Sequence, residues 1–315
     1  MKGLQVVLGA NGGAGRAVVA ELAARGARVR AVSRTGQDES LRGVEYVRGD
    51  ATDPASMRAV CSQAAVVYHC VNVPYPQWQR LLLPIAHSVT DGAAAAGSKL
   101  VVMDNLYTYG PPGGPMTETD PRAARGPKGR LRVQLEEFFL ESHRRGRLPL
   151  TIARASDFYG ARGNSQVMIL AVNPALRGRR AFWPGNRDVP HTLNYLPDVG
   201  RALATLGERE EALGEVWHLP AAEALTGRQF MQIVFETLGR PMRLGVITRP
   251  MMRFVGIFSP LVREAVEVLY QFERPFVVDS AKFARAFGAN VTPHGEAVRQ
   301  VAQAAMLRKT SGRSA

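Results

Sequence analysis

Cysteine, lysine and long apolar runs are all scarce in this 315-residue chain. The two cysteines, Cys61 and Cys70, have no C-x-x-C spacing. That excludes a disulfide framework and a thiolate zinc site, and it suits a reducing, cytoplasmic compartment. No apolar run approaches the roughly 18 residues of a membrane span, so none is expected. The first apolar run stops at Gly9, too early for a signal peptide. The six histidines stand far apart, without zinc-ligand spacing. Neither G-x-S-x-G nor G-x-x-x-x-G-K-[ST] occurs, which removes a hydrolase elbow and a P-loop. Only five of the 40 basic residues are lysine. The net charge of +13 therefore rests on arginines scattered along the chain, and the densest segment, 122–147, also holds Glu136, Glu137 and Glu141. This distribution reads as an arginine bias, and no specific nucleic-acid binding is expected.

What is present alternates. Leu4–Leu8 (LQVVL) reads as a buried parallel strand, and 16–25 (RAVVAELAAR) has helical spacing with Gly26 at its end. Further strands are expected at 28–33, 44–48, 65–71, 100–103 and 150–154. Helices are expected at 53–61 and 78–96, and a long helix is expected to contain "GPKGRLRVQLEE" (126–137). This is the rhythm of an α/β fold, a Rossmann-type doubly wound parallel sheet. It breaks beyond Gly160, so residues 1–160 are expected to form a dinucleotide-binding domain. Residues 161–315 should be a smaller C-terminal substrate-binding region, with 192–219 returning to the first domain.

"GANGGAG" (9–15) falls between the first strand and the first helix. Gly9 permits the tight turn, Gly12 lets the backbone approach a pyrophosphate, and Gly15 lets the helix pack close. Asn11, Gly13 and Ala14 complete a loop that aims helix N–H groups at phosphates. At the end of the second strand an NAD protein usually has a carboxylate for the ribose. Here Ser33 and Arg34 stand there, with no acidic residue before Asp38. A guanidinium fork suits a 2′-phosphate, so NADP(H) is expected rather than NAD.

With these residues read, the chain resembles the extended short-chain dehydrogenase/reductases, the NAD-dependent epimerase/dehydratase-like proteins. "GDATD" (49–53) is similar to their adenine-contacting loop, with Asp50 and Ala51. "HCVNVPY" (69–75) matches the strand end beside the cofactor, with Val71, Asn72 and Val73. "RASDFYG" (154–160), carrying Ser156, "NYLPDVGRAL" (194–203) and "VVDSAKFARAFG" (277–288) follow in the family's order. The resemblance implies a nicotinamide cofactor and a small carbonyl or hydroxyl substrate. It also implies a Ser/Thr, Tyr and Lys catalytic set, and there this chain departs. Asn105 in "MDNLYTYG" replaces the hydroxyl residue, while Lys128 and Arg132 in "GPKGRLRVQLEE" replace tyrosine and lysine.

Lys128 is a candidate proton carrier and cofactor contact, with the cations Arg125 and Arg132 as its sequence neighbours; a surface lysine is the plainer alternative. Arg132 can donate to a ribose or a carboxylate but cannot shuttle protons. Asn105 can orient a carbonyl. Tyr107 is a phenol able to replace the missing acid, as are Tyr109 and Tyr159, although aromatic packing is the commoner role. The apolar segment 251–262 (MMRFVGIFSPLV) reads as a substrate lid or as core, with a membrane-surface helix or homodimer contact as alternatives. Two functions remain: an NADP-dependent oxidoreductase or epimerase-like enzyme, or a non-catalytic NADP sensor.

Overall fold

The computed structural model describes residues 2–36 and 41–311, with side chains to 307; Asp38 lies outside the described residues. In chain order the elements are β1 (Leu4–Leu8), α1 (Gly13–Ala24), β2 (Arg28–Ser33), β3 (Val44–Arg48), α2 (Pro54–Cys61), β4 (Ala64–His69), α3 (Trp78–Ala95), β5 (Lys99–Asp104), α4 (Pro127–Arg144) and β6 (Leu150–Arg154). A last strand, Val216–His218, joins the same sheet beside β6.

β1 is buried along its whole length, because a central parallel strand is covered on both faces. Leu8 lies opposite Val32 of β2 and His69 of β4. The seven strands run parallel in the order Val216–His218, β6, β5, β4, β1, β2, β3. The Rossmann expectation is met. The direction of winding reverses between β1 and β4, which opens a crevice at their carboxyl ends, where such sheets bind ligands.

Two layers close the sheet. Val18, Val19 and Leu22 of α1 pack with Val199, Leu203 and Leu206 of the helix Leu196–Glu208 on one face. On the other face α2, α3 and α4 contribute Met57, Ile85 and Phe139. A separate core around Trp183, Phe230 and Phe272 holds the C-terminal region together. Cys61 and Cys70 are both free, and burial pushes each thiol up to about 12. Among the described residues, no helix is long and apolar enough to cross a membrane.

One expectation needs correction. The segment 251–262 is not core. The helix Arg249–Gly256 buries only Met252 and Gly256, a narrow i, i+4 stripe. Phe254, Ile257 and Phe258 project into solvent instead.

Candidate active site

The glycine turn closes β1 onto α1. Gly9 has a φ of +80°, in the left-handed region, and a Cβ there would stand 2.7 Å from the Cys70 carbonyl oxygen. At Gly15 an added Cβ would lie 2.2 Å from the Gly9 carbonyl oxygen, so that helix turn can rest on the loop only without a side chain. Gly12 differs: among the described residues its Cβ would meet only the Gly9 oxygen, at 3.2 Å. Gly13 abuts the Leu196 side chain, and Ala14 is buried. α1 has neither a side-chain cap nor a carboxylate in its first turn, so among the described residues no side chain caps its terminus.

The rim beside it is organised by Asn11. Its amide donates to Ser33 Oγ at 3.1 Å and to Thr35 Oγ1 at 3.0 Å. Ser33 Oγ also accepts from the Gly36 N–H at 3.0 Å. Arg34 is exposed and has no ion-pair partner among the described residues. Asp50 Oδ1 accepts from the Thr52 backbone and hydroxyl at 2.9 and 2.8 Å, and these bonds hold the carboxyl below its usual range. Ala51 follows in the same turn. Val71, Asn72 and Val73 form the opposite lip after β4, and Val71 N would lie 2.9 Å from a Cβ at Gly9. Ser156 sits after β6, its N–H bonded to Asn194 Oδ1 at 2.9 Å.

Lys128 is no surface lysine. It is buried in the first turn of α4, and its ammonium contacts Glu264 and, at 3.0 Å, Glu267. Glu267 Oε1 also accepts the Lys128 backbone N–H at 2.8 Å, which seats a carboxylate at the positive end of the helix. The expected cationic surroundings are thus replaced by two carboxylates from the C-terminal region. Arg132, one turn later, pairs with Asp104 Oδ1 at 3.1 Å and lies over the Trp78 ring at 4.2 Å. Asn105 Oδ1 accepts the Tyr107 N–H at 3.1 Å, fixing the turn after β5.

Tyr107 does meet a partner. Its hydroxyl lies 2.8 Å from that of Tyr75, and Gln271 donates to it at 3.4 Å. Burial pushes the Tyr75 phenol up to about 12 and the Tyr107 phenol well above its ordinary value. The Lys128 ammonium stands 5.5 Å from the Tyr75 ring centre. His191 Nε2 lies 3.1 Å from Asp157 Oδ2 nearby, and its Nδ1 is 2.9 Å from the Gln271 carbonyl. Tyr109 and Tyr159 go elsewhere, to Arg154 and His218, and to His294.

Behind these groups runs a buried chain of charges. Arg154 reaches Asp104 at 3.2 Å, Glu136 at 2.7 Å and the Tyr109 hydroxyl at 2.9 Å, and Arg122 caps Glu136 from outside at 3.0 Å. A cavity of about 20 Å³ lies between His69, Asp104, Arg132 and Glu136, enough for one water. Burial and the Arg132 charge push His69 down to about 4, so its imidazole is neutral. Among the described residues no group of three His, Cys, Asp or Glu side chains could hold a metal.

The sequence reading missed Tyr75, Asp157, Gln271, Glu264 and Glu267. Tyr75 and Asp157 lie inside quoted segments, as the end of "HCVNVPY" and the middle of "RASDFYG". No local pattern marks Gln271 or the two glutamates.

The family model described as NAD dependent epimerase/dehydratase family matches residues 5–219, and the chain belongs to that family. A search of curated proteins gives no significant match. Among solved structures, the dTDP-glucose 4,6-dehydratase of Bacillus anthracis, in complex with NAD, superposes with a TM-score of 0.79. It is 15% identical, and the match covers 98% of this chain and 97% of that one. The UDP-glucuronic acid 4-epimerase of Bacillus cereus, also with NAD, gives 0.79 at 15% identity over 98% of both chains. The UDP-N-acetylglucosamine 4-epimerase of the same organism gives 0.75 at 15%, over 96% of this chain and 99% of that one. At these identities the likeness is one of fold.

Proposed function

We propose that the chain is an NADP(H)-dependent oxidoreductase or epimerase-like enzyme acting on a small carbonyl or hydroxyl compound, with a phenol pair in place of the family's usual tyrosine. The observation that carries this reading is the Tyr75–Tyr107 contact of 2.8 Å beside the buried Lys128. A dinucleotide fits the turn, because the missing Cβ at Gly12 leaves a cradle beside an uncapped helix terminus. Gly9, Asn11, Gly12, Gly13, Ala14 and Gly15 would hold its phosphates. Asp50 and Ala51 would meet its adenine, and Val71, Asn72, Val73 and Ser156 its nicotinamide half. When bound, that group donates or accepts a hydride.

The protein's part is the proton. Both phenols are held protonated at neutral pH, so the pair can donate to a carbonyl oxygen as it becomes an alkoxide. Gln271 points an N–H at the Tyr107 oxygen, leaving the hydroxyl proton free to pass toward Tyr75 or substrate. Lys128 is engaged by Glu264 and Glu267, so its role here is to position α4 and the C-terminal region around the phenols. Arg132 and Asn105 shape the same wall.

The direct test is a cofactor-depletion screen over aldehydes, ketones, alcohols and the dTDP- and UDP-sugars named for the structural neighbours. Depletion by wild type that persists at the same rate in Tyr107→Phe would sink the phenol reading. Absence of turnover with retained dinucleotide binding would favour the sensor.

Two predictions concern the cofactor. Arg34→Ala should weaken NADPH binding by about 10- to 100-fold, the equivalent of a charge-assisted contact of roughly 1.5–3 kcal/mol, and leave NADH affinity unchanged. Equal losses for both dinucleotides in calorimetric titration would overturn the assignment. Gly12→Ala and Gly15→Ala should separate. A Gly12 methyl fills the cradle and should abolish dinucleotide binding while thermal unfolding barely moves. A Gly15 methyl forces α1 away from the loop, at roughly 1–3 kcal/mol, and should lower both. Full affinity in the Gly12 variant would show that no pyrophosphate lies there.

A further inference from the structure

We infer that the hairpin formed by the helices Arg249–Gly256 and Pro260–Ala265 is a docking element for an anionic lipid surface. Six of the ten exposed large apolar side chains among the described residues fall within residues 251–261, so the exposure is a patch rather than a scatter. Its tips are Phe254, Ile257 and Phe258, exposed at 66%, 67% and 77%. Phe254, Ile257 and Phe258 are spaced i, i+3 and i+4, and Phe254 and Phe258 meet edge to face at 6.0 Å between ring centres. They form one apolar edge, whereas the buried stripe of the same hairpin, Met252, Gly256 and Ala265, faces the protein.

Charge selects the occupant. Arg253 and Arg263 flank the patch, exposed and without ion-pair partners among the described residues. The one carboxylate of the hairpin, Glu264, is partly exposed but engaged by the buried Lys128 ammonium. The outer face is therefore apolar at its tip and cationic at its sides, the pattern that inserts aromatic side chains among acyl chains while arginines meet lipid phosphates. A second copy of the chain suits it less well. A two-fold contact over this patch would gather four unpaired arginines, Arg253 and Arg263 from each copy, around one apolar face, in a chain already carrying +13. The site gains a defined orientation from this arrangement. Glu264 of the hairpin and Glu267, just after it, tie its inner side to the start of α4, so a docked hairpin would hold the crevice at the lipid surface.

The experiment is co-sedimentation of the full chain with vesicles of phosphatidylcholine, alone or with about one quarter phosphatidylglycerol. Wild type should sediment with the anionic vesicles and much less with the neutral ones. The double variant Phe254→Glu, Phe258→Glu should bind about tenfold more weakly or worse, and Arg253→Glu with Arg263→Glu should weaken binding and flatten its salt dependence. Because both phenylalanines are exposed, unchanged thermal unfolding in the double variant confirms that the fold is intact. Failure of wild type to bind overturns the proposal. Equal binding by the phenylalanine variant overturns it too, because scattered arginines would then suffice. Concentration-dependent dimerisation in gel filtration that the phenylalanine variant abolishes would assign the patch to a second copy and overturn it.

Discussion

Replacing Arg154 by methionine is expected to destabilise the fold by about 3–5 kcal/mol, the usual cost of stranding buried charges. Arg154 is 1% exposed, and so is the side chain of Glu136, its closest ionic partner at 2.7 Å. Burial disfavours the guanidinium's charge, and Asp104, Tyr109 and Glu136 more than offset that penalty. Methionine fills most of the volume but leaves Glu136 with Arg122 alone and Asp104 with Arg132 alone. By contrast Arg144→Met, which removes an exposed pair with Glu141, should change stability by less than about 1 kcal/mol. Chemical denaturation of the two variants checks the contrast. A loss below about 1 kcal/mol for Arg154→Met would mean that the network is solvated in solution.

The pH dependence has a definite sign. Burial raises the Glu136 carboxyl, but Arg122 and Arg154 outweigh it and hold the group below its ordinary value of 4.5. A depressed carboxyl contributes stability above the unfolded-state value, and that contribution is lost as pH falls through the folded-state value. Wild type and Arg154→Met should therefore differ most near neutrality and converge below about pH 4.5. Pairing Arg154→Met with Glu136→Gln should recover part of the loss, since an amide carries no charge to strand.

How far the sequence exposes this architecture depends on the range of the interactions. The sheet is legible because β1, β5 and β6 are short apolar runs bounded by turn residues, a pattern set by near neighbours. The glycine turn is legible for the same reason: Gly9 and Gly15 touch each other within seven residues. The surroundings of Lys128 are not legible. Its carboxylate partners lie 136 and 139 residues further along the chain. Reading only Arg125 and Arg132 beside it predicts a cationic pocket, the opposite of what folding assembles. The segment 251–262 fails differently. Its apolar content is plain, but a short apolar run has no periodicity that separates core from an outward-facing edge.

The same distance effect decides where the proton chemistry should be sought. Tyr107→Phe is expected to lower turnover by about 100-fold or more, the scale of a lost general acid. Dinucleotide affinity should stay the same, because the glycine turn and Arg34 lie at the other end of the crevice. Phenylalanine preserves the ring packed near Trp78, at 6.0 Å between centres, so the variant removes only the oxygen bonded to Tyr75 and Gln271. Tyr75→Phe should act in the same direction, since either deletion breaks the pair. Burial holds the Tyr75 phenol near 12, so carbonyl reduction by wild type should be flat from neutral to mildly alkaline pH. Lys128→Met should behave differently. It frees Glu264 and Glu267 from their shared cation, loosens the C-terminal region over the crevice, and should raise KM more than it lowers kcat. Steady-state kinetics on the three variants separate these roles. If Lys128→Met loses about 100-fold in kcat while Tyr107→Phe keeps wild-type turnover, the lysine is itself the proton carrier and the phenol pair is packing.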